Sequence, residues 1–526
     1  MRAARETGAD TPAPDDGRIG STPEEEVAGR RPSTPEGVGS PAAETMTSED
    51  VRRRAAAGAA LIAARGVGVQ VLAAVGSVVL ARLLLPRDFG TVAFGLTLAT
   101  TLGVVLGPGM GAALIRRPEP PEPADLEALL ALQLAVTAGV AALVAAVALP
   151  FGEVGRVTAV MMIALPIAAL RTPGVIAVER RLSFRPVVLV EVVEAVCFYA
   201  WAVVTVAIGW GVWGIATAGV ARAAVGSGLM IAIAPVRLPR PRFLWARIRG
   251  LVAFGARIQA FDLLGIARDQ AVNVGVAAVG GLAVLGLWNL ANRLLQLPFL
   301  LFASLWRVSF PAMSRLLAAG EDPRPIIERA VVLVAVGTGV LLAPLVGAAP
   351  ALVPSVLGAK WEEAADVVPW ASLGLMVGGP VSVAVAGYLW AVGDASTPLR
   401  ALVIQGVTWI AIALPLLPIV GVAAVGLGWL AASVTEAAIL ARRASRRTGA
   451  RILSALVVPT AVAAVAGAAG WATAASAGTN LAAAALGGIV AAAVYLITLL
   501  VVRRSVLVDA LGVTGHALRG AVARPQ

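Results

Sequence analysis

Cysteine and histidine are almost missing: Cys197 and His516 are the only two in 526 residues. A disulfide within one chain is excluded, and a Cys/His metal site would lack ligands. A lone cysteine in an apolar run reads as a small buried hydrophobe. Aromatic residues make up only 5%, which argues against a core of large rings. Charge is scarce as well, at 14% of residues against about 25% in soluble domains. There is no glycine-rich phosphate loop and no nucleophile with a His or Cys base beside it. These gaps argue against ATP hydrolysis and against a catalytic constellation of any familiar kind.

What the chain does have is apolar mass, 59% of its residues. A soluble protein of this composition could not cover its surface with polar groups, whereas a bilayer removes that need. Glycine (56 residues) suits helices that pack closely in lipid. The net charge of +11 conceals an asymmetry: residues 1–50 hold 5 Arg and 11 Asp/Glu, a net of −6, which leaves +17 for the rest. The basic residues stand in short clusters between apolar runs. That placement points to membrane topology and away from nucleic acid.

Residues 1–54 read as a disordered cytoplasmic tail rich in Pro, Gly, Thr and Glu. A short repeat, Ser21–Glu24 and Ser33–Glu36, suggests a phosphorylation tail or simply a solvated extension. The long acidic stretch before the first apolar run argues against a secretory signal peptide. Beyond it, runs of about 20 apolar residues place membrane spans near 57–81, 90–114, 126–149, 157–179, 187–208 and 211–234. Eight more fall near 251–273, 283–306, 330–350, 367–391, 400–419, 421–441, 453–473 and 480–501. The expected architecture is all-α and polytopic, with about 14 transmembrane helices. It divides into a six-helix bundle (55–235), a basic linker (236–250), a second six-helix bundle (251–447), helices 13–14 (448–503) and a cytoplasmic tail (504–526). Counts of twelve or thirteen stay open, because 340–356 carries three prolines.

Loop charge tests the count, since cytoplasmic loops carry the excess of Lys/Arg. With the N-terminus inside, the inside loops take Arg52–Arg54, Arg116–Arg117, Arg180–Arg181, the linker arginines, Arg442–Arg447 and Arg503–Arg504. The outside loops keep little more than Arg82, Arg87, Arg156 and Lys360. The sign never flips, which supports an even number of spans with both ends cytoplasmic. A weak internal repeat relates Leu85–Gly90 to Leu282–Gly286, and Gly211–Ala216 to Gly421–Gly426. It makes the two six-helix units copies of one orientation, related by an axis along the membrane normal.

Three stretches carry a resemblance. Ala81–Gly90 (ARLLLPRDFG), Gly286–Leu294 with Gln296–Pro298, and Arg307–Leu316 (RVSFPAMSRL) are similar to the signature segments of Wzx-type polysaccharide exporters. These are flippases of the multidrug/oligosaccharidyl-lipid/polysaccharide superfamily. Trp288 departs from the family's usual tyrosine. The resemblance covers roughly residues 55–445, with Pro86, Asp88, Phe89, Gly90, Phe310 and Pro311 as its structural motif residues. It implies two bundles enclosing a V-shaped cavity. It also implies translocation of a polyprenyl-pyrophosphate-linked oligosaccharide across the bacterial cytoplasmic membrane. Candidate partners are membrane lipid and a polysaccharide polymerase or glycosyltransferases; no cofactor is expected beyond coupling to a proton or sodium gradient.

An anionic headgroup inside a membrane protein needs cations in a wet cavity, and arginine's planar fork suits pyrophosphate. A mid-bilayer arginine costs about 2.5–3.5 kcal/mol on insertion scales, so each marks function by default. Arg65, Arg222 and Arg293 are the deepest, and Arg257 sits shallower, within snorkelling reach of the inner surface. The alternative for all of them is structural pairing, with Asp262 and Asp269 as partners; Asp262 is also a candidate for a coupling ion. Glu191 and Glu194 read as interfacial partners of Arg181 or Arg185, and Glu436 reads similarly. Three competing functions stay open. A cation-coupled drug antiporter would show an acidic cavity, a membrane-embedded glycan-processing enzyme a large polar outer loop, and a passive scaffold no deep arginines.

Overall fold

The computed structural model describes residues 48–106, 114, 121–181, 183–296, 302, 305 and 313–502. Phe310 and Pro311 lie outside these residues. Arg257 and Asp262 lie on a helix whose backbone alone is described there. Among the described residues there are helices and no strands, as the composition requires of a chain in lipid. Among the described residues ten helices are long and apolar enough to cross a bilayer, and a shorter apolar one covers Gly68–Leu83. The chain is a multi-pass membrane protein.

Helix α1 runs Ser48–Leu83 and α2 runs Pro86–Leu106. Pro86 opens α2, where its missing N–H is harmless. The Asp88 carboxylate accepts a hydrogen bond from the Leu85 N–H at 3.1 Å and fixes the turn. Helix α3 spans Pro123–Ala148 and begins with a capping box between Glu122 and Asp125. The basic linker docks on this helix start: Arg247 donates to Asp125 at 2.9 Å and Glu122 at 2.7 Å. The expected fourth span is broken into α4 (Gly152–Met162), α5 (Ala164–Ala169) and α6 (Thr172–Arg180). Pro166 and Pro173 fall in the two short pieces, since proline removes a backbone donor and crowds the preceding turn. Helices α7 (Phe184–Thr205) and α8 (Val212–Ile233) complete the first half.

The second half begins with α9, Trp245–Leu294, two helical stretches that meet at a kink between the expected spans 7 and 8. It is interrupted at Gly281, whose φ of 81° only glycine adopts cheaply. Helix α10 (Pro323–Leu357) runs unbroken through Pro344, Pro350 and Pro354. A 3₁₀ segment, Ala359–Asp366, leads into α11 (Val367–Val381); a π-turn follows Pro380 before α12 (Gly387–Ala391). Then come α13 (Ser396–Val420), α14 (Ala423–Thr448), α15 (Ile452–Ala477) and α16 (Leu481–Val502). Helices α10, α15 and α16 pack together, with Gly347, Gly470 and Gly487 letting the three backbones touch.

The halves meet chiefly where α2 lies against α9. The two members of the sequence repeat face each other there. A Cβ on Gly90 would stand 1.7 Å from the Leu282 carbonyl oxygen, and one on Gly286 would stand 2.0 Å from that of Pro86. Each glycine admits the other copy's first helical turn. Beside this crossing, the α1–α2 turn is latched to the end of α10. Arg82 donates to the carbonyls of Val356 and Ser355, both at 2.7 Å, and Lys360 donates to the Arg82 carbonyl at 3.0 Å. The fully buried Trp361 donates to the Ala81 carbonyl at 2.8 Å, and its ring meets Phe89 edge-on at 5.1 Å. The motif residues Asp88, Phe89 and Gly90 thus serve packing.

Asp394, in the turn between α12 and α13, ties that turn to the end of α14. It accepts from Arg443 at 2.8 Å and from the Thr397 and Ser396 hydroxyls, and Arg447 stands at 3.1 Å. The Arg443 hydrogen bond, helped by Thr397 and Ser396, holds its carboxyl well below the usual carboxylate range. A carboxyl depressed on folding stabilises above its unfolded value of about 3.9 and loses that contribution as pH falls toward the depressed value. The melting temperature of the wild type in detergent should therefore drop between about pH 5 and 3. Asp394→Asn should melt lower at pH 7 and lose less on acidification; parallel pH profiles for the two would refute this.

Candidate functional site

Glu191 and Glu194 lie about 10 and 15 Å along α7, a helix of 22 residues, at 1.5 Å per residue. Being three apart, they share a face. That face gathers arginines from three other segments. Arg65 of α1 pairs with Glu191. Arg171, between α5 and α6, pairs with Glu194, and the Arg222 Nε of α8 stands 3.6 Å from the second oxygen of Glu194. Glu194 is only 2% exposed. Gly226 on α8 makes room for it: a Cβ there would fall 1.7 Å from its carboxylate oxygen. Among the described residues three guanidinium groups thus face Glu191 and Glu194, with Glu179 a third acid close to Glu191. Arg222 is the least committed, half exposed and in the longest of the three contacts. The expected pairing of these glutamates with Arg181 or Arg185 is corrected. Those arginines stand before or at the start of α7, two turns from the acidic face.

Arg293, twelve residues past the Gly281 break, reaches back to α1 and donates to the Ser77 hydroxyl, with its guanidinium 5.9 Å from the Phe89 ring. Arg65, Arg222 and Arg293 therefore all bridge helices, the first two by ion pairs and the third through a neutral hydroxyl.

A second polar centre lies in the other half. Arg268 of α9 lies beside the packed pair Trp409 and Trp429, 6.0 and 5.6 Å from their ring centres, and donates to Gln405 and, at 2.7 and 2.9 Å, to Asp269. Gln405 in turn donates to Glu436 at 2.6 Å, and Ser382 donates to the other Glu436 oxygen at 3.1 Å. Glu436 is thus an interior network member, which corrects the reading of it as an interfacial partner: α14 turns it toward α13 and the π-turn. Asp269 pairs with its own neighbour Arg268 and with none of the three deepest arginines.

Arg268 lines two cavities. One, of about 390 Å³, contains Ser382, Gln405 and Glu436. The other, of about 420 Å³, lies between α2, α9, α11, α13 and α14. Its wall includes Thr97 and Thr100 from α2, Gln270, Asn273, Asn289 and Asn292 from α9, and Gln296 just past the end of α9. Sequence reasoning passed over these amides because uncharged side chains scarcely lower the apolarity of a span; their mid-span positions were the available signal.

The lipid II flippase MurJ in an inward closed conformation superposes with a TM-score of 0.64 at 13% identity, covering 85% of this chain and 100% of that one. An inward-facing multidrug resistance MATE family transporter of the MOP superfamily gives 0.53 at 15% identity, over 72% and 94%. The fold is the all-helical one of these membrane transporters. The chain belongs to the polysaccharide biosynthesis protein family, whose model matches residues 79–366. It is also 26% identical over 332 residues to the succinoglycan biosynthesis transport protein ExoT of Rhizobium meliloti (strain 1021), 59% of this chain and 65% of that protein. The matched region thus spans just under two thirds of that relative's length.

Proposed function

We propose that this protein is a flippase that carries a polyprenyl-pyrophosphate-linked oligosaccharide across the bacterial cytoplasmic membrane by alternating access. The observation that carries the reading is the gathering of three guanidinium groups, Arg65, Arg171 and the half-exposed Arg222, among membrane-spanning helices. A pyrophosphate is the complement of such a site, accepting paired hydrogen bonds from arginine forks. Family membership and the relative's printed role in succinoglycan transport support a glycan cargo. The flippase MurJ supports a lipid-linked one. In this reading fourteen helices, arranged as six, six and two, cross the membrane with both ends cytoplasmic. Arg222 with Arg65 and Arg293 contacts the pyrophosphate, Arg257 lies at the inner entrance, and a proton or sodium gradient drives the cycle. The cation-coupled antiporter is the weaker alternative: Glu436, the acid in the smaller cavity, shares it with Arg268.

The test is leaflet exchange of a fluorescent polyprenyl-pyrophosphate oligosaccharide in proteoliposomes. A hydrogen bond to a charged group contributes about 1.5–3 kcal/mol, so Arg222→Ala should slow exchange by roughly tenfold to a hundredfold. Arg65→Ala and Arg293→Ala should slow it less, since both are already engaged with Glu191 and Ser77. Normal rates in all three variants would sink the site assignment. A wild type that moves no such lipid would sink the function.

A further inference from the structure

The larger cavity differs chemically from the arginine cluster. Its one cation, Arg268, is balanced at once by Asp269 and, through Gln405, by Glu436. The cavity therefore offers an anion no surplus charge. What it offers instead is carboxamides. Asn292 lies about 16 Å past the Gly281 break at 1.5 Å per residue, near the middle of a bilayer core about 30 Å thick. Asn273 lies about 12 Å before it by the same rise. Among the described residues the side-chain amides of Asn273 and Asn292 make no hydrogen bond, and Asn289 uses its amide only on the Leu285 carbonyl at 2.9 Å. Amides at this depth without protein partners are costly unless something polar meets them.

The facing wall is aromatic. Trp288, Trp409 and Trp429 stack edge to face in series, with ring centres 5.7 and 4.6 Å apart. The Trp409 indole N–H is fixed on the Val425 carbonyl at 3.0 Å. This leaves Trp429, half-buried, as a rigid indole bordering the cavity. Carboxamides both donate and accept, which matches hydroxyl groups that do the same. An indole face, negative in its quadrupole, suits the weakly positive C–H face of a pyranose ring. A volume of about 420 Å³ falls within the usual range of small-ligand sites, about 300–1,000 Å³.

We infer that the cavity between α2, α9 and α14 is a sugar subsite, in which Asn273, Asn292 and Trp429 grip an uncharged sugar of the cargo while the arginine cluster of the first half takes the phosphates. The inference rests on the flippase reading and adds where the glycan itself is recognised. It is tested by comparing two fluorescent probes in proteoliposomes of the full chain. One is a polyprenyl pyrophosphate bearing a neutral hexose trisaccharide, and the other is the same lipid without sugar. The wild type should move the sugar-bearing probe faster. Trp429→Ala and Asn292→Leu should each lower the ratio of the two rates about tenfold, and Trp429→Phe, which keeps a stacking face, should restore most of it. Asn273→Leu supplies a third variant should one of these fail to fold, judged by its melting profile. Equal rates for both probes in the wild type, or an unchanged ratio in the variants, would overturn the subsite and leave the flippase standing. A wild type that moves neither probe overturns the flippase reading itself.

Discussion

Replacing Glu194 with leucine should leave little stable protein in the membrane. Its carboxylate is 2% exposed and stands between Arg171 and Arg222. Removing one partner of a buried pair strands the other charge and costs about 3–5 kcal/mol. Arg171 is 33% exposed and Arg222 52%, so both are partly solvated and the lower end applies. That loss is still a large part of the 5–15 kcal/mol that typically separates folded from unfolded protein. The measurement is the yield and melting temperature of detergent-solubilised protein. A second variant separates charge from packing: Arg171→Leu combined with Glu194→Leu should recover part of the lost stability, because it removes a stranded cation. A Glu194→Leu protein that melts like the wild type would show that these arginines do not depend on it.

Gly90→Val should be comparably damaging for a different reason. The obstacle to a side chain at Gly90 is the Leu282 carbonyl, a backbone atom that cannot rotate away. Overpacking ordinarily costs about 1–3 kcal/mol, occasionally more, and here relief requires α2 and α9 to part. Because Gly286 meets Pro86 in the same crossing, Gly90→Ala and Gly286→Ala should be less than additive in melting experiments. Once the helices have separated for one methyl group, the second finds room. Full additivity would mean that the two contacts yield independently.

The spans were legible in the sequence because twenty apolar residues in a row leave little choice of structure. The two stretches that read as a weak repeat touch in the structure, which the pattern alone did not say. The break between spans 7 and 8 falls within the gap left between them in the sequence, at one glycine, Gly281, which turns the chain without any polar connector. The site was legible only in part. Depth along a span identified Arg65 and Arg222, but their partners on α7 are far away in the chain and no local period announces them. Glu436 illustrates the limit from the other side. Its distance from the helix end suggested an interface, whereas the direction it faces, set by how α14 packs on α13, places it in the interior. The amide-lined cavity escaped because it is assembled from five helices, each contributing too few polar atoms to disturb its own apolar run.

The latch between α1–α2 and the end of α10 also carries a chemical handle. Lys360 is the chain's single lysine, and its ammonium is engaged by the Arg82 carbonyl. Apart from the α-amine, an amine-directed reagent has one target on this protein, so an impermeant one reports which membrane face bears the loop. Acylation also needs the free base, so the speed of labelling follows how often that nitrogen leaves Arg82. The chain thus holds a native footprinting clock for the opening of its own latch.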